Sequence, residues 1–138
     1  MSDFDAAGVI AAIPFAKSLG IELTSAEPDE VRGEFTWDEN LCTMGGIVHG
    51  GALMSLADTL GAICAFLNLP SGATTATLES KTNLFRAVRA GTVRAVSRPL
   101  HVGRTTIVVQ TDLYDDQDRR IAQVTQSQAV LTAAGTSG

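Results

Sequence analysis

Apolar and polar positions change rhythm three times along this chain. Residues 5–19 carry apolar side chains at helical spacing, with Pro14 marking a break or a fresh start. Residues 21–25 and 31–37 alternate as two strands around the turn Ala26-Glu27-Pro28-Asp29. A Gly-rich loop over 39–48 then leads into Gly50–Leu67 (GGALMSLADTLGAICAFL), which is apolar on nearly every side and reads as one long helix. Leu69-Pro70-Ser71-Gly72 stops it, because Pro and Gly are the usual punctuation. The rest is rich in Thr and β-branched residues, which predicts strands over 73–85, 92–102, 105–114 and 121–132. A polar turn lies at Asp115-Asp116-Gln117-Asp118, and 133–138 reads as a loose tail.

After the short N-terminal helix the order is thus β-β-α-β-β-β-β. A helix apolar almost all round needs cover on nearly every side. An antiparallel sheet curled around it supplies that cover, which is an α+β solution. Gly61 and the many alanines of the helix suit close helix-to-sheet approach. A length of 138 residues fits a single domain over 1–138.

Composition removes several classes of function. Hydrophobic residues make up 45% of the chain and charged ones 18%, as in a globular protein. The net charge is -5 and no basic run exists, so nucleic acid is not an expected partner. No stretch of roughly 18 residues free of Gly, Asp and Ser offers a membrane span. The first residues lack the basic start of a secretory signal. Cys42 and Cys64 suit reduced thiols and a cytoplasmic setting. They lack zinc-ligand spacing, so no metal is expected.

One charge interrupts the long helix, Asp58, nine residues after the His of Gly45-Gly46-Ile47-Val48-His49-Gly50-Gly51. Burying a carboxylate costs several kcal/mol unless it is hydrogen-bonded or stays wet. Desolvation is also how a general base or nucleophile is tuned, which makes Asp58 the candidate for chemistry.

The string Val48-His49-Gly50-Gly51-Ala52-Leu53, followed by Ser55-Leu56-Ala57-Asp58-Thr59, resembles the hotdog-fold acyl-CoA thioesterases of the phenylacetate-degradation (PaaI-like) type. Thr77-Leu78-Glu79-Ser80-Lys81-Thr82-Asn83-Leu84-Phe85-Arg86 resembles that family's first strand after the helix, and Gly91 and Val102-Gly103-Arg104-Thr105 fall at plausible family positions. The resemblance implies a hotdog fold and hydrolysis of a thioester to free acid and coenzyme A. No cofactor is implied, since coenzyme A is part of the substrate. The carboxylate would act as general base on water or as a nucleophile forming an anhydride. Thr77 matches a position whose hydroxyl helps hold water or carboxylate. His49 reads as a structural residue that fixes the helix start by hydrogen bonding. Related enzymes often carry Asn or Gln six residues before the His; here that position is Thr43, with Asn40 close by.

Gly50 would lie at the helix N-terminus, where free N–H groups favour negative charge. Having no Cβ, it would let a thioester carbonyl approach, as in an oxyanion site. Asp58 is eight residues further on, about 12 Å at roughly 1.5 Å per residue. One carbonyl cannot touch both in the same chain. A two-fold dimer with antiparallel helices would join them, so a homodimer is expected, and the family implies a dimer of dimers.

The expected substrate contacts are Asn40, Thr43, Gly51, Thr59, Arg86, Gly103, Arg104 and Thr105. Arg86, Arg89 and Arg104 are candidates for the phosphates of coenzyme A, because a guanidinium fork suits phosphate oxygens. Met44, Leu53, Met54 and Leu56 would line an acyl tunnel. A hotdog hydratase or dehydratase, and a non-catalytic acyl-CoA binder, are the alternative readings. Retention of Asp58 argues against the binder, and the helix-start glycines argue against the hydratase.

Overall fold

The computed structural model describes residues 5–132, so the tail at 133–138 lies outside it. Pro14 splits the expected N-terminal helix into α1 (Ala6–Ala11) and α2 (Pro14–Ser18). It occupies the first position of α2, where a missing N–H costs nothing. Next in the chain come β1 (Glu22–Glu27), β2 (Glu30–Thr36), a 3-10 turn at Glu39–Leu41, α3 (Gly50–Leu67), β3 (Thr74–Leu84), β4 (Thr92–Val102), β5 (Thr106–Tyr114) and β6 (Arg120–Leu131). The expected elements are all present, each within a few residues of its predicted bounds.

The six strands form one antiparallel sheet in the order β1-β2-β4-β5-β6-β3. α3 packs against its strands. Leu56, Leu60 and Cys64 of the helix are fully buried, together with Phe35, Val93, Ile107, Leu113 and Val124 of the strands. Within one chain, however, the sheet covers one side of α3 only. Met54, Asp58 and Phe66 stay exposed, and Ser55, Thr59 and Ala62 are half-buried. The expected cover on nearly every side is therefore not met within the chain, and Asp58 is not a buried carboxylate. By length and hydropathy alone α3 would also pass for a membrane span. Its packing against the strands and its central Asp58 are those of a core helix lying on a sheet.

Strand β3 lies at the far edge of the sheet. It pairs with β6 along one side, and its other side has no partner among the described residues. Its register shifts once, between Thr77↔Gln128 and Glu79↔Ser127. The extra residue is Leu78, a bulge that switches which residues of β3 share the face of their β6 partners.

Candidate functional site

The loop before α3 delivers His49 to the helix start. Gly45 and Gly46 both take positive φ, which lets the chain turn back so that Thr43 N–H donates to the Ile47 carbonyl at 2.8 Å. Trp37 Nε1 donates to the Gly46 carbonyl at 2.9 Å. Val48 and His49 N–H donate to the carbonyls of Val88 and Leu41 at 2.9 and 2.8 Å. His49 is then the N-cap of α3: its Nδ1 accepts the Gly51 N–H at 2.8 Å. A Cβ on Gly51 would stand 2.9 Å from that nitrogen, so glycine there admits the ring. With Nδ1 accepting, the neutral ring carries its proton on Nε2.

Gly50 N–H donates to no acceptor among the described residues, as the first turn of a helix allows. Leu84 Cδ1 would lie 2.8 Å from a Cβ built on Gly50. The glycine thus accommodates β3 of its own chain.

Asp58 is held by two strands. Thr77 Oγ1 (β3) and Gln126 Nε2 (β6) both donate to its Oδ1, at 3.0 and 3.1 Å. Gln128 Nε2 donates to Thr77 Oγ1 at 2.7 Å. The single Thr75 hydroxyl proton has two acceptors in reach, the Ala129 carbonyl at 2.8 Å and Gln128 Oε1 at 3.1 Å. Asp58 Oδ2 receives no hydrogen bond from the described residues. The arrangement is a fixed carboxylate with one oxygen saturated and the other available.

Sequence reasoning missed Gln126, Gln128 and Thr75. The signal was present in β6, where Ala122, Val124, Gln126 and Gln128 alternate as its buried positions. Two amides on the core phase of a strand need an assigned partner.

The remaining predicted residues divide into near and far. Asn40 lines a cleft of about 370 Å³ that also touches His49, Gly51 and Ser55. Thr43 is exposed in the turn beyond it. Thr59 turns its hydroxyl onto the Ser55 carbonyl at 2.8 Å. With Asp58 it borders a second cleft of about 430 Å³, walled by Val9, Ile13, Phe15 and Phe66. These apolar walls correct the expected tunnel: Leu53 and Leu56 are buried in the core, and Met44 is 93% exposed. Met54 is exposed on the open helix face.

Arg86 and the turn Gly103-Arg104-Thr105 are not brought together within one chain. Arg86 N–H donates to the Ile121 carbonyl, while the Thr105 carbonyl accepts from Val130. Those partners stand near the two ends of β6, roughly 30 Å apart at about 3.3 Å per residue. Neither thiol offers an alternative nucleophile. Burial, with Asp29 adding to it, pushes the Cys64 thiol up to about 11. Desolvation, Asp38 and Glu39 raise Cys42 as well.

Comparison with known proteins agrees with this architecture. Residues 45–122 match the family model of the thioesterase superfamily. The proofreading thioesterase EntH of Cronobacter turicensis is 35% identical over 113 residues, 82% of each chain. The crystal structure of thioesterase HI1161 from Haemophilus influenzae superposes with a TM-score of 0.88 at 26% identity, covering 94% of this chain and 92% of that one. A mutant of thioesterase PA1618 from Pseudomonas aeruginosa gives 0.88 at 28% identity, covering 94% and 95%. The chain belongs to the thioesterase superfamily and is a thioester hydrolase of the hotdog fold.

Proposed function

We propose that the chain hydrolyses acyl-CoA thioesters to free acid and coenzyme A, as a homodimer whose sites are shared between two protomers. The observation that carries this reading is the Asp58 carboxylate, with Oδ1 held by Thr77 and Gln126 and Oδ2 left to react. Oδ2 either takes a proton from water, whose oxygen adds to the thioester carbon, or adds to that carbon itself. In both routes a C–O bond forms, the C–S bond breaks, and its electron pair leaves on sulfur, which is protonated. The second route passes through an anhydride that water opens.

Negative charge gathers on the carbonyl oxygen as the nucleophile adds. The unused Gly50 N–H at the start of α3 suits that charge. Asp58 lies about 12 Å along the same helix, so the donor is taken from Gly50 of the partner subunit. Two features support such pairing: the exposed stripe Met54, Asp58 and Phe66 on α3, and the unpaired edge of β3. The cleft beside Asp58 offers the acyl group apolar walls. Pairing would also draw the Gly103–Thr105 turn of one protomer toward Arg86 of the other for the phosphates of coenzyme A. Asn40, beside His49, is better placed than Thr43 to contact the thioester. The two free thiols, Cys42 and Cys64, support a reducing, cytoplasmic setting.

The test is free-thiol release from a panel of aryl- and alkyl-acyl-CoA esters, comparing wild type with Asp58→Ala. Loss of about 100-fold or more in the variant, with an unchanged Tm, supports the reading. Full turnover by Asp58→Ala overturns the assigned role. No thiol release by wild type from any ester overturns acyl-CoA as the substrate class.

A further inference from the structure

Two features of the core carry a cost that packing does not repay. Gln126 and Gln128 are 1% and 0% exposed on β6. Gln126 Oε1 is buried with no hydrogen-bond partner among the described residues. An acceptor left unpaired in the interior lowers stability, and an apolar side chain of similar size would avoid that penalty. Gly61, in the middle of α3, gives up helix propensity. A Cβ at that position would stand 2.0 Å from Gln126 Oε1 and 2.4 Å from its Cδ.

Both costs serve one contact. Asp58 and Gly61 are three residues apart and so share a helix face. The Gln126 amide lies over Gly61 and reaches Asp58 Oδ1 at 3.1 Å. From the other side comes a chain of hydrogen bonds with a single direction. Thr77 has one hydroxyl proton; because its oxygen accepts from Gln128 Nε2, that proton is left for Asp58. The direction is set at the Asp58 end, where a carboxylate oxygen can only accept, so the Gln128 amide turns Nε2 to Thr77 and Oε1 toward Thr75.

We propose that Gln126 is a positioning residue for the reaction, assisted by Gln128 acting through Thr77. Two donors on Oδ1 stop the Asp58 carboxylate from rotating and commit Oδ2 to the substrate. Gly61 is the position that lets the Gln126 amide in. This rests on Asp58 being the reacting carboxylate.

The experiment compares Gln126→Met and Gly61→Ala with wild type, alone and in an Asp58→Ala background. Gln126→Met is expected to lower kcat by about 10-fold or more, since small misplacements at a reacting group are costly. KM should stay within about twofold and Tm should not fall. Gly61→Ala should behave alike, its methyl pushing the flexible amide end aside. Combined with Asp58→Ala, neither change should lower the residual rate further, because each acts through the carboxylate. Full kcat in Gln126→Met, or losses that multiply with Asp58→Ala, would overturn the proposal. Side-chain amide NMR gives a readout that needs no turnover. Asp58→Ala should move the Gln126 Nε2–H resonances and leave those of Gln117, in the β5–β6 turn, in place. An unmoved Gln126 signal also overturns the proposal. A moved signal in a protein that cleaves no ester keeps the contact and rejects the hydrolytic reading instead.

Discussion

Thr77 and Asp58 are 19 residues apart and meet at 3.0 Å, hydroxyl to carboxylate. The contact spans a complete change of structure, from the middle of α3 to the first half of β3, and the bulge at Leu78 comes immediately after it. Its chemistry can be separated from its packing. Thr77→Val keeps the shape and removes the proton that Asp58 receives. Steady-state kinetics should show kcat reduced by about 10-fold, whereas Thr77→Ser should stay within a few-fold of wild type. Equal rates in Val and Ser variants would mean that the hydroxyl does nothing for the carboxylate.

His49 acts on stability first. As N-cap it satisfies the Gly51 N–H, and loss of such a cap costs about 1 kcal/mol. Urea unfolding of His49→Ala should show that loss, and His49→Asn should recover most of it, because Asn is a strong cap. If His49→Asn is stable yet inactive, the imidazole has a role in turnover beyond capping.

The proposed pairing fixes a symmetry point. If Gly50 of one helix faces Asp58 of the other, Met54 faces itself across the two-fold axis. Met54→Cys should therefore cross-link into a covalent dimer under mild oxidation. Met54→Glu, placing two like charges together, should shift sedimentation toward monomer and abolish turnover. A monodisperse, fully active Met54→Glu protein would exclude this dimer.

Acid sensitivity has a named contributor. Burial opposes ionisation of Asp115, but the N–H groups of Arg119 and Gln117 and the Arg119 guanidinium outweigh it and hold its carboxyl below the usual carboxylate range. A carboxyl depressed in the folded state gives stability that is complete above its unfolded value, about 3.9. That stability is lost as the pH falls through the folded value. Asp115→Ala should thus be less stable than wild type at pH 7, and the gap should close as the pH drops below about 4. Denaturant midpoints across that range are the measurement.

Much of the fold was legible in the chain itself. Periodicity located α3 and its neighbours, because an apolar 18-residue run and alternating Thr-rich segments allow few other structures. His49, Gly50 and Asp58 were legible because their spacing is a local property of one helix. Less legible was the exposure of Asp58: an apolar helix implies cover, but not whether the cover comes from its own chain. Gln126 and Gln128 escaped because their meaning depends on register. Only the pairing of Thr77 with Gln128, and the bulge after it, brings β6 amides to a β3 hydroxyl and an α3 carboxylate. The separation of Arg86 from Arg104 has the same origin, since sequence gives two basic sites but not opposite ends of a strand.

The place of β6 in the sheet has a consequence for how the protein comes into being. It is the last strand in chain order, yet it lies between β5 and β3. Until it docks, β3 has no strand of its own chain on either edge. A nascent chain synthesised only as far as Tyr114 already contains α3 and its carboxylate, but neither amide that reaches toward it. Non-local pairing of this kind is completed late in folding. Turnover therefore reports arrival of β6, and the carboxylate is not oriented for reaction before that strand has docked.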